Sequence, residues 1–494
     1  LAQSTLRLTG DGAVIGGGKL QLSAGSITNA GNLFADKALT VDAGQFLHQG
    51  GDIKAGTVDV QADTLSMSTN LQDALRQATM SADDISLRGT DIRLAGAKLT
   101  AADTLSLSAR NNLTITTARS SHTADLGVIS GAMGNRTRGG TEAAGSRMAQ
   151  VSGEWQQALG SELNAGGNLT LNAGRDVTLT GSQVQAGGQL GVQAGGNINL
   201  LADKTTNTTH LDANSRTSSV SNSREEERLT LSSLGGDRDV TLVAGNQLLA
   251  EGAQVDSKEG RIGISAQDVT IQDARTHTQD QDRENKRKGK TNSHRIEQTT
   301  RETSSGSTFS GQQGVTVIGR GGDVTVTGSA LHSEQGAIAL QAKKDVTLNH
   351  TTDSEHRVSS EESRGRKTKG QRAEETLREN VVGSTLSGRD GVTVVAQDGS
   401  ITATASALHS EQGAITLQAK KDVTLNTATE RESTFSEERS QKKGFLKKRS
   451  SHSVAHDATT REKGTLLSGE SVSVSAGTVS YTHLRAHETA ANRV

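Results

Sequence analysis

The sequence predicts an all-β fold: a solenoid of stacked parallel strands from which polar hairpins protrude. Three observations carry that expectation. The first is a nearly identical pair of segments. Ala330 to Asn349 reads ALHSEQGAIALQAKKDVTLN and Ala407 to Asn426 reads ALHSEQGAITLQAKKDVTLN, differing only where Ala339 becomes Thr416. Self-similarity at a fixed offset of this kind marks an array rather than a set of independent domains. The second is a shorter beat inside each unit. Leu169 returns as Leu190 and Val177 as Ile198, each 21 residues on, while KLQLSAG from Lys19, ALTVDAG from Ala38 and TVDVQAD from Thr57 repeat every 19. The third is alternation within each beat, as where Leu20 and Leu22 flank Gln21, which puts the apolar residues on one face of a strand. Strands this short cannot bury that face alone, so each must stack on its counterpart one coil later.

Composition agrees. The 494 residues include 56 Gly, no Pro and no Cys. A chain whose backbone donors nearly all join a ladder has little room for proline. Without cysteine there are no disulfides, no thiolate metal site and no cysteine nucleophile. A net charge of −2 argues against general polyanion binding by the whole chain. No apolar run approaches the ~18 residues of a membrane span, so no transmembrane segment is expected. A mean hydropathy of −0.52 would suit a disordered chain, but disorder needs no phase and these apolar residues keep one. The chain starts at Leu1 in mid-pattern, without an initiator Met or signal peptide, and reads as a fragment.

Taken in order, residues 1–118 are rungs of 19 to 21 residues with corners such as Ala24-Gly25 and Ala43-Gly44, where glycine supplies positive φ. Leu71 to Met80 reads as a helical turn or two. Residues 119–162 are expected to be an irregular or partly helical insertion, because Met148, Val151, Trp155 and Leu159 are spaced 3, 4 and 4. Trp155, the only tryptophan, is read as packing rather than as a ligand-binding group. Rungs continue over 163–480, interrupted by polar excursions near 203–228, 273–303, 351–379 and 427–463. A chain that leaves the stack and rejoins it must bring its ends together, which a long hairpin does. About 18 coils remain outside the excursions, giving a rod on the order of 85 Å at ~4.8 Å per coil. The expected core includes Leu169, Leu171, Val177, Leu179, Ile338, Leu340, Val346, Leu348, Ile415, Leu417, Val423 and Leu425. Residues 481–494 break the pattern and are set apart as a non-native tail.

No catalytic constellation, cofactor site or metal site is expected. His332 and His409 recur only because the unit does, and in Leu331–Glu334 the Ser and His are neighbours, which a strand points to opposite faces. Asn and Asp ahead of strands (Asn168, Asp176, Asn197, Asp345, Asp422) read as turn residues and stacked side-chain ladders. Basic clusters centre the excursions. The candidate partner contacts are Arg364, Arg366, Lys367 and Lys369 on one tip, and Lys442, Lys443, Lys447, Lys448 and Arg449 on the next. Specific nucleic-acid recognition is not expected, since only Phe445 interleaves an aromatic among these charges. The bland reading of the tips is a solvated hairpin end with charge pairing across it; the sharper one is a contact with an anionic polymer.

Strings such as VGSTLSGRDGVTV, GSQVQAGGQLGVQAGGNINLLAD and AGGNLTLNAGRDVTL resemble the haemagglutinin repeats of filamentous-haemagglutinin-like exoproteins. These are passengers of bacterial two-partner secretion, contact-dependent growth-inhibition toxins among them. The resemblance implies a right-handed parallel β-helix, export through an outer-membrane partner pore, a secreted or cell-surface location, and adhesion or toxin delivery toward a target cell or host receptor. The chain departs from complete members in lacking a secretion-domain signature and a recognisable toxin domain, so the expectation concerns a rigid shaft segment. Two alternatives stand beside it. One is a surface module binding anionic polymer or glycan through the basic tips. The other is a polysaccharide-acting β-helix enzyme, which would need paired carboxylates on neighbouring coils and aromatics to stack sugars.

Overall fold

The computed structural model describes residues 4–9, 12–71, 76–130, 147–215 and 217–481. Every regular element among them is a strand. Thirty-six strands form one long sheet wound as a solenoid with three faces. A representative coil places Glu162–Ala165 on the first face, Leu169–Ala173 on the second and Val177–Thr180 on the third; the next repeats this with Gln183–Ala186, Leu190–Ala194 and Ile198–Leu201. Each strand pairs in parallel with its counterpart one coil away. In the N-terminal coils a single strand, such as Asn32–His48, runs through all three faces.

The described residues complete fourteen coils rather than about 18, so the rod is on the order of 65 Å long. One reason the expectation overshot is that coils lengthen along the chain. The step is 19 residues from Asn29 to His48, 21 from Asp176 to Asn197 and 22 from Asp323 to Asp345. The larger reason is that residues 118–159 lie in a hairpin off the rod and add no coil. Of Leu71 to Met80, residues 72–75 lie outside the described part, and the rest holds the strand Ala78–Ala82 rather than a helical turn. Of the tail set apart above, Tyr481 closes the last strand, Thr478–Tyr481, and residues 482–494 lie outside the described part.

Alternation buries one side of every rung. All twelve expected core residues are buried, none more than 3% exposed. They form unbroken columns: Leu105, Leu169, Leu190, Val240, Ile262, Val315, Ile338, Val392 and Ile415 stand one above the next on the second face. The expected Asn/Asp ladder forms as well. Asn168 Oδ1 accepts from Gln189 N at 2.9 Å, Asp176 Oδ1 from Asn197 N at 2.7 Å, and Asp345 Oδ1 from Ser400 N at 2.7 Å. At the top of that column Asp422 N donates to Ser400 Oγ.

From Gly96 onward the corner between the third and first faces alternates between two designs. In one coil the chain turns directly, through a residue at positive φ: Gly96, Gly181, Gly252, Gly328 or Ala405. In the next coil it leaves the rod instead, makes a hairpin, and returns. The five hairpins are Ala118–Ser130 with Arg147–Leu159, Asp203–Asn214 with Ser218–Thr230, Ala274–Lys288 with Thr291–Ser305, Thr351–Arg364 with Thr368–Val382, and Ala428–Lys443 with Lys448–Lys463. We refer to them as the first to fifth hairpins.

A buried hydroxyl closes the roots of the second to fifth hairpins. Ser232 donates to Leu201 O (2.6 Å), Ser307 to Gln272 O (2.7 Å), Ser384 to Asn349 O (2.6 Å) and Thr465 to Asn426 O (2.8 Å), tying the residue after each hairpin to one just before it.

The helical reading within 119–162 is corrected: Arg147–Leu159 is a strand, paired antiparallel with Ala118–Ser130. A spacing of four is even, so Val151, Trp155 and Leu159 share one side of a strand as well as one side of a helix. The Trp155 ring lies over Gly153, where a Cβ would come within 2.9 Å of it, in keeping with a packing role.

Candidate contact surface at the hairpin tips

The hairpins do not stand apart. The returning strand of each pairs antiparallel with the outgoing strand of the next, giving a ten-stranded sheet that we call the fin. Its strands have few apolar residues, so the pairing rests on the backbone ladder and on cross-strand charge. One row runs Glu284, Arg295, Glu361, Arg372, Glu438; another runs Arg301, Glu355, Arg378, Glu432. Arg301–Glu355 (2.8 Å) and Arg378–Glu432 (2.7 Å) are ion pairs between neighbouring hairpins, and Glu432 holds the Arg378 guanidinium above its ordinary range. Glu437 accepts from His452 and Arg439, and the His452 hydrogen bond leads in holding its carboxyl below the usual range. All of these paired groups but the half-buried Glu437 are exposed, so each pair is individually weak and screened by salt.

Among the described residues of the third, fourth and fifth hairpins, none outward of Glu362 and Glu438 is acidic. The nine sequence-predicted residues all lie in this outer band and are brought side by side. Arg364 pairs across its turn with Lys369, Thr368 stands opposite Lys442, and Lys443 N donates to Lys367 O at 2.8 Å. All but Lys369 are exposed. Among the described residues none of the nine meets a carboxylate, so the expected charge pairing across the hairpin stops short of the tip. The third hairpin adds Lys286, Arg287, Lys288 and Lys290, of which Lys286 alone has a carboxylate partner, Glu284 at 2.6 Å. That neighbourhood was missed as part of the site because it comes from register between hairpins, which alternation along one strand does not report. Phe445 and Leu446 cap the fifth tip, 98% and 89% exposed.

The second hairpin turns at Ser215–Ser218, short of the third, and Arg287 N donates to Thr217 O at this step. A recess of about 480 Å³ opens there, with Ser218, Asn285, Lys286, Arg287, His294 and Arg364 in its wall. It offers cations, amides and hydroxyls beside the Glu362 carboxylate, a lining suited to a polar, hydroxyl-bearing ligand. On the rod, His332 is half-exposed while Ser333 beside it points inward, donating to Gln312 O and accepting from Gly336 N. The pair therefore does not converge. Among the described residues no group of three His, Asp or Glu could hold a metal ion, and no helix is long and apolar enough to cross a membrane.

Comparison with known proteins matches the chain to two repeat families. One, described as Hemagglutinin repeat, matches residues 64–215, 288–371 and 365–445; the other, Haemagglutinin repeat, matches 15–66. Among curated proteins, a stretch of 63 residues is 46% identical to the 16S rRNA endonuclease CdiA of Enterobacter cloacae. Another of 66 residues is 48% identical to the deoxyribonuclease CdiA of Dickeya dadantii, and one of 65 is 43% identical to the tRNA nuclease CdiA of an Escherichia coli strain. Each match covers 13% of this chain and 2% of the relative. No solved structure matches.

Proposed function

Since the chain belongs to the haemagglutinin-repeat family, whose members are secreted or cell-surface exoproteins, we propose that it is a rigid shaft segment of such a protein. In this reading it holds an adhesive or toxin-bearing part of the whole protein away from the producing cell. It reaches the surface through the outer-membrane pore of a two-partner system and acts toward a target cell or host receptor. The observation that supports the reading most is the unbroken apolar column through fourteen coils, which makes bending or partial opening costly over the whole length. The nuclease names of the relatives belong to proteins of which the matched stretch is 2%, and these repeats are structural rather than catalytic.

The test is made in the full-length exoprotein by deleting one two-coil unit, 308–384. A shaft loses reach but not chemistry: secretion and the isolated effector or receptor-binding activity persist, while delivery or adhesion between cells falls. Loss of the isolated activity on deleting this unit would contradict the reading.

The acid-free basic band favours a second reading, in which the tips bind an anionic polymer through many weak contacts. Reversing Arg366, Lys367, Lys443 and Lys447 to Glu should then abolish binding to a soluble anionic polysaccharide and flatten its salt dependence. Unchanged binding would return the tips to solvated hairpin ends.

A further inference from the structure

We infer that rod and fin are held in step by their equal strand spacing, so that hairpins must leave the rod at every second coil. Neighbouring strands lie ~4.8 Å apart in either kind of ladder. Two coils therefore advance the rod by about 9.6 Å, and the two strands of one hairpin advance the fin by the same amount. A hairpin at every coil would crowd four strands into the space of two. A hairpin at every third coil would leave about 14 Å between equivalent points of neighbouring hairpins, too far for their edges to bond.

From Gly96 to Lys463 the chain obeys this rule, even where its length period changes, and the coils before Gly96 contribute no strand to the fin. The unit from Val177 to Leu248 is several residues shorter than the unit from Val346 to Val423. Both contain two coils and one hairpin. What stays constant is the geometric step, not the residue count. The direct corners help to set the alternation. At the four glycine corners the positive-φ residue packs on the first residue of the next hairpin: a Cβ on Gly96 would sit 2.7 Å from Ala118 Cβ, on Gly252 2.7 Å from Ala274 Cβ, and on Gly328 2.6 Å from Thr351 Cγ2. Each outgoing strand is thus seated on the direct corner below it. The charge rows share the period: Glu355 and Glu361 in the fourth hairpin stand where Glu432 and Glu438 stand in the fifth, so either could face Arg301 and Arg295.

Three variants of the full chain test the inference, with site-resolved hydrogen exchange as the readout. Deleting 308–329 removes one coil and joins Ser307 to Ala330, so the fourth hairpin leaves one step too soon. Duplicating 308–329 makes it leave one step too late. Deleting 308–384 removes two coils and one hairpin together, bringing Thr291–Ser305 against Ala428–Lys443. The expected result is that the third variant keeps the amide protection of the fin at the junction. The duplication, and the single-coil deletion where it folds, lose at least tenfold protection at inter-hairpin amides of 291–305 while the rod core stays protected. Fin protection equal to the parent chain in the duplication variant, or its loss in the whole-unit deletion, would overturn the inference.

Discussion

Rod and fin come from one chain and use one strand spacing, yet they are held together by different chemistry. In the rod, Val346 lies between Val324 and Ile401, fully buried, and its side chain adds hydrophobic burial to every backbone bond beside it. In the fin, Ser360 lies between Ile296 and Ala373, exposed, where little but the backbone ladder and weak charge pairs contribute. The difference teaches that a ladder alone does not make a region robust. The rod should open as a cooperative body, whereas hairpins of the fin should open from their neighbours at low cost.

The largest effect should come from breaking the rod and sparing the fin. Val346→Asp buries an unpaired carboxylate and is expected to cost more than about 4 kcal/mol, with protease cutting in the adjacent coils. Ser360→Asp should stay within about 0.5 kcal/mol. Equal urea midpoints for the two variants would erase the distinction.

Next come the direct corners. Gly328→Ala meets both a left-handed backbone and Thr351, and should cost about 2 kcal/mol or more. Ala405 is the one non-glycine residue at positive φ among those described. Its left-handed strain of ~1–2 kcal/mol exceeds the ~0.8 kcal/mol of methyl burial against Val381 and Ala428. Ala405→Gly should therefore stabilise by less than about 1 kcal/mol. Thermal denaturation of both variants checks the pair, and a stabilising Gly328→Ala would contradict the corner geometry.

The hydroxyl staples join the two regions. Ser384→Ala leaves Asn349 O and Val326 O without their side-chain donor and should cost about 1–2 kcal/mol. The loss should appear as faster exchange at the root of the fourth hairpin. Exchange confined to its tip would instead mean that the staple does not hold the root.

The smallest effect follows pH and is local to the N-terminal coils. Burial pushes His48 below its ordinary 6.5, which favours the uncharged ring near neutral pH, where it is bonded to Asn29 and Thr79 O. Well above pH 6.5 neither folded nor unfolded chain holds the proton. As pH falls below 6.5 the unfolded chain takes it up first, so stability is lost until the lower folded value is reached. The opening free energy at amides around Asn29 and Thr79, taken after correcting for the intrinsic slowing of exchange in acid, should fall as pH drops from neutral to about 5, while the coils near Ile415 do not respond in the same way. An opposite or uniform response would remove His48 as the cause.

The rod was legible in the sequence because burial writes alternation: Leu169 and Leu171 mark a face, and their return as Leu190 and Val192 marks the next coil. The hairpins were legible as its interruptions. Their union into a fin was not, because its partners are distant in the chain and share no apolar pattern; Arg301 and Glu355 are 54 residues apart. The signals were Glu355 and Glu432 at one period, the equal arm lengths, and two coils between every pair of hairpins. Trp155 misled because a spacing of four serves helix and strand alike. The staples were visible only as the openings of GSTFSG and GSTLSG, whose serines declare a role once the carbonyls of Gln272 and Asn349 are placed beside them.

Site-resolved hydrogen exchange of the unaltered chain at low and high salt tests the central claim most directly. Rod amides such as those of Leu340 and Val346 are predicted to share one high opening free energy that salt leaves unchanged. Inter-hairpin amides of the fin should be protected at low salt, open at distinctly lower free energy, and lose protection as salt screens the Arg301–Glu355 and Arg378–Glu432 pairs. Fin amides exchanging at the rate of free loops at low salt, or opening together with the rod at one free energy, would contradict it.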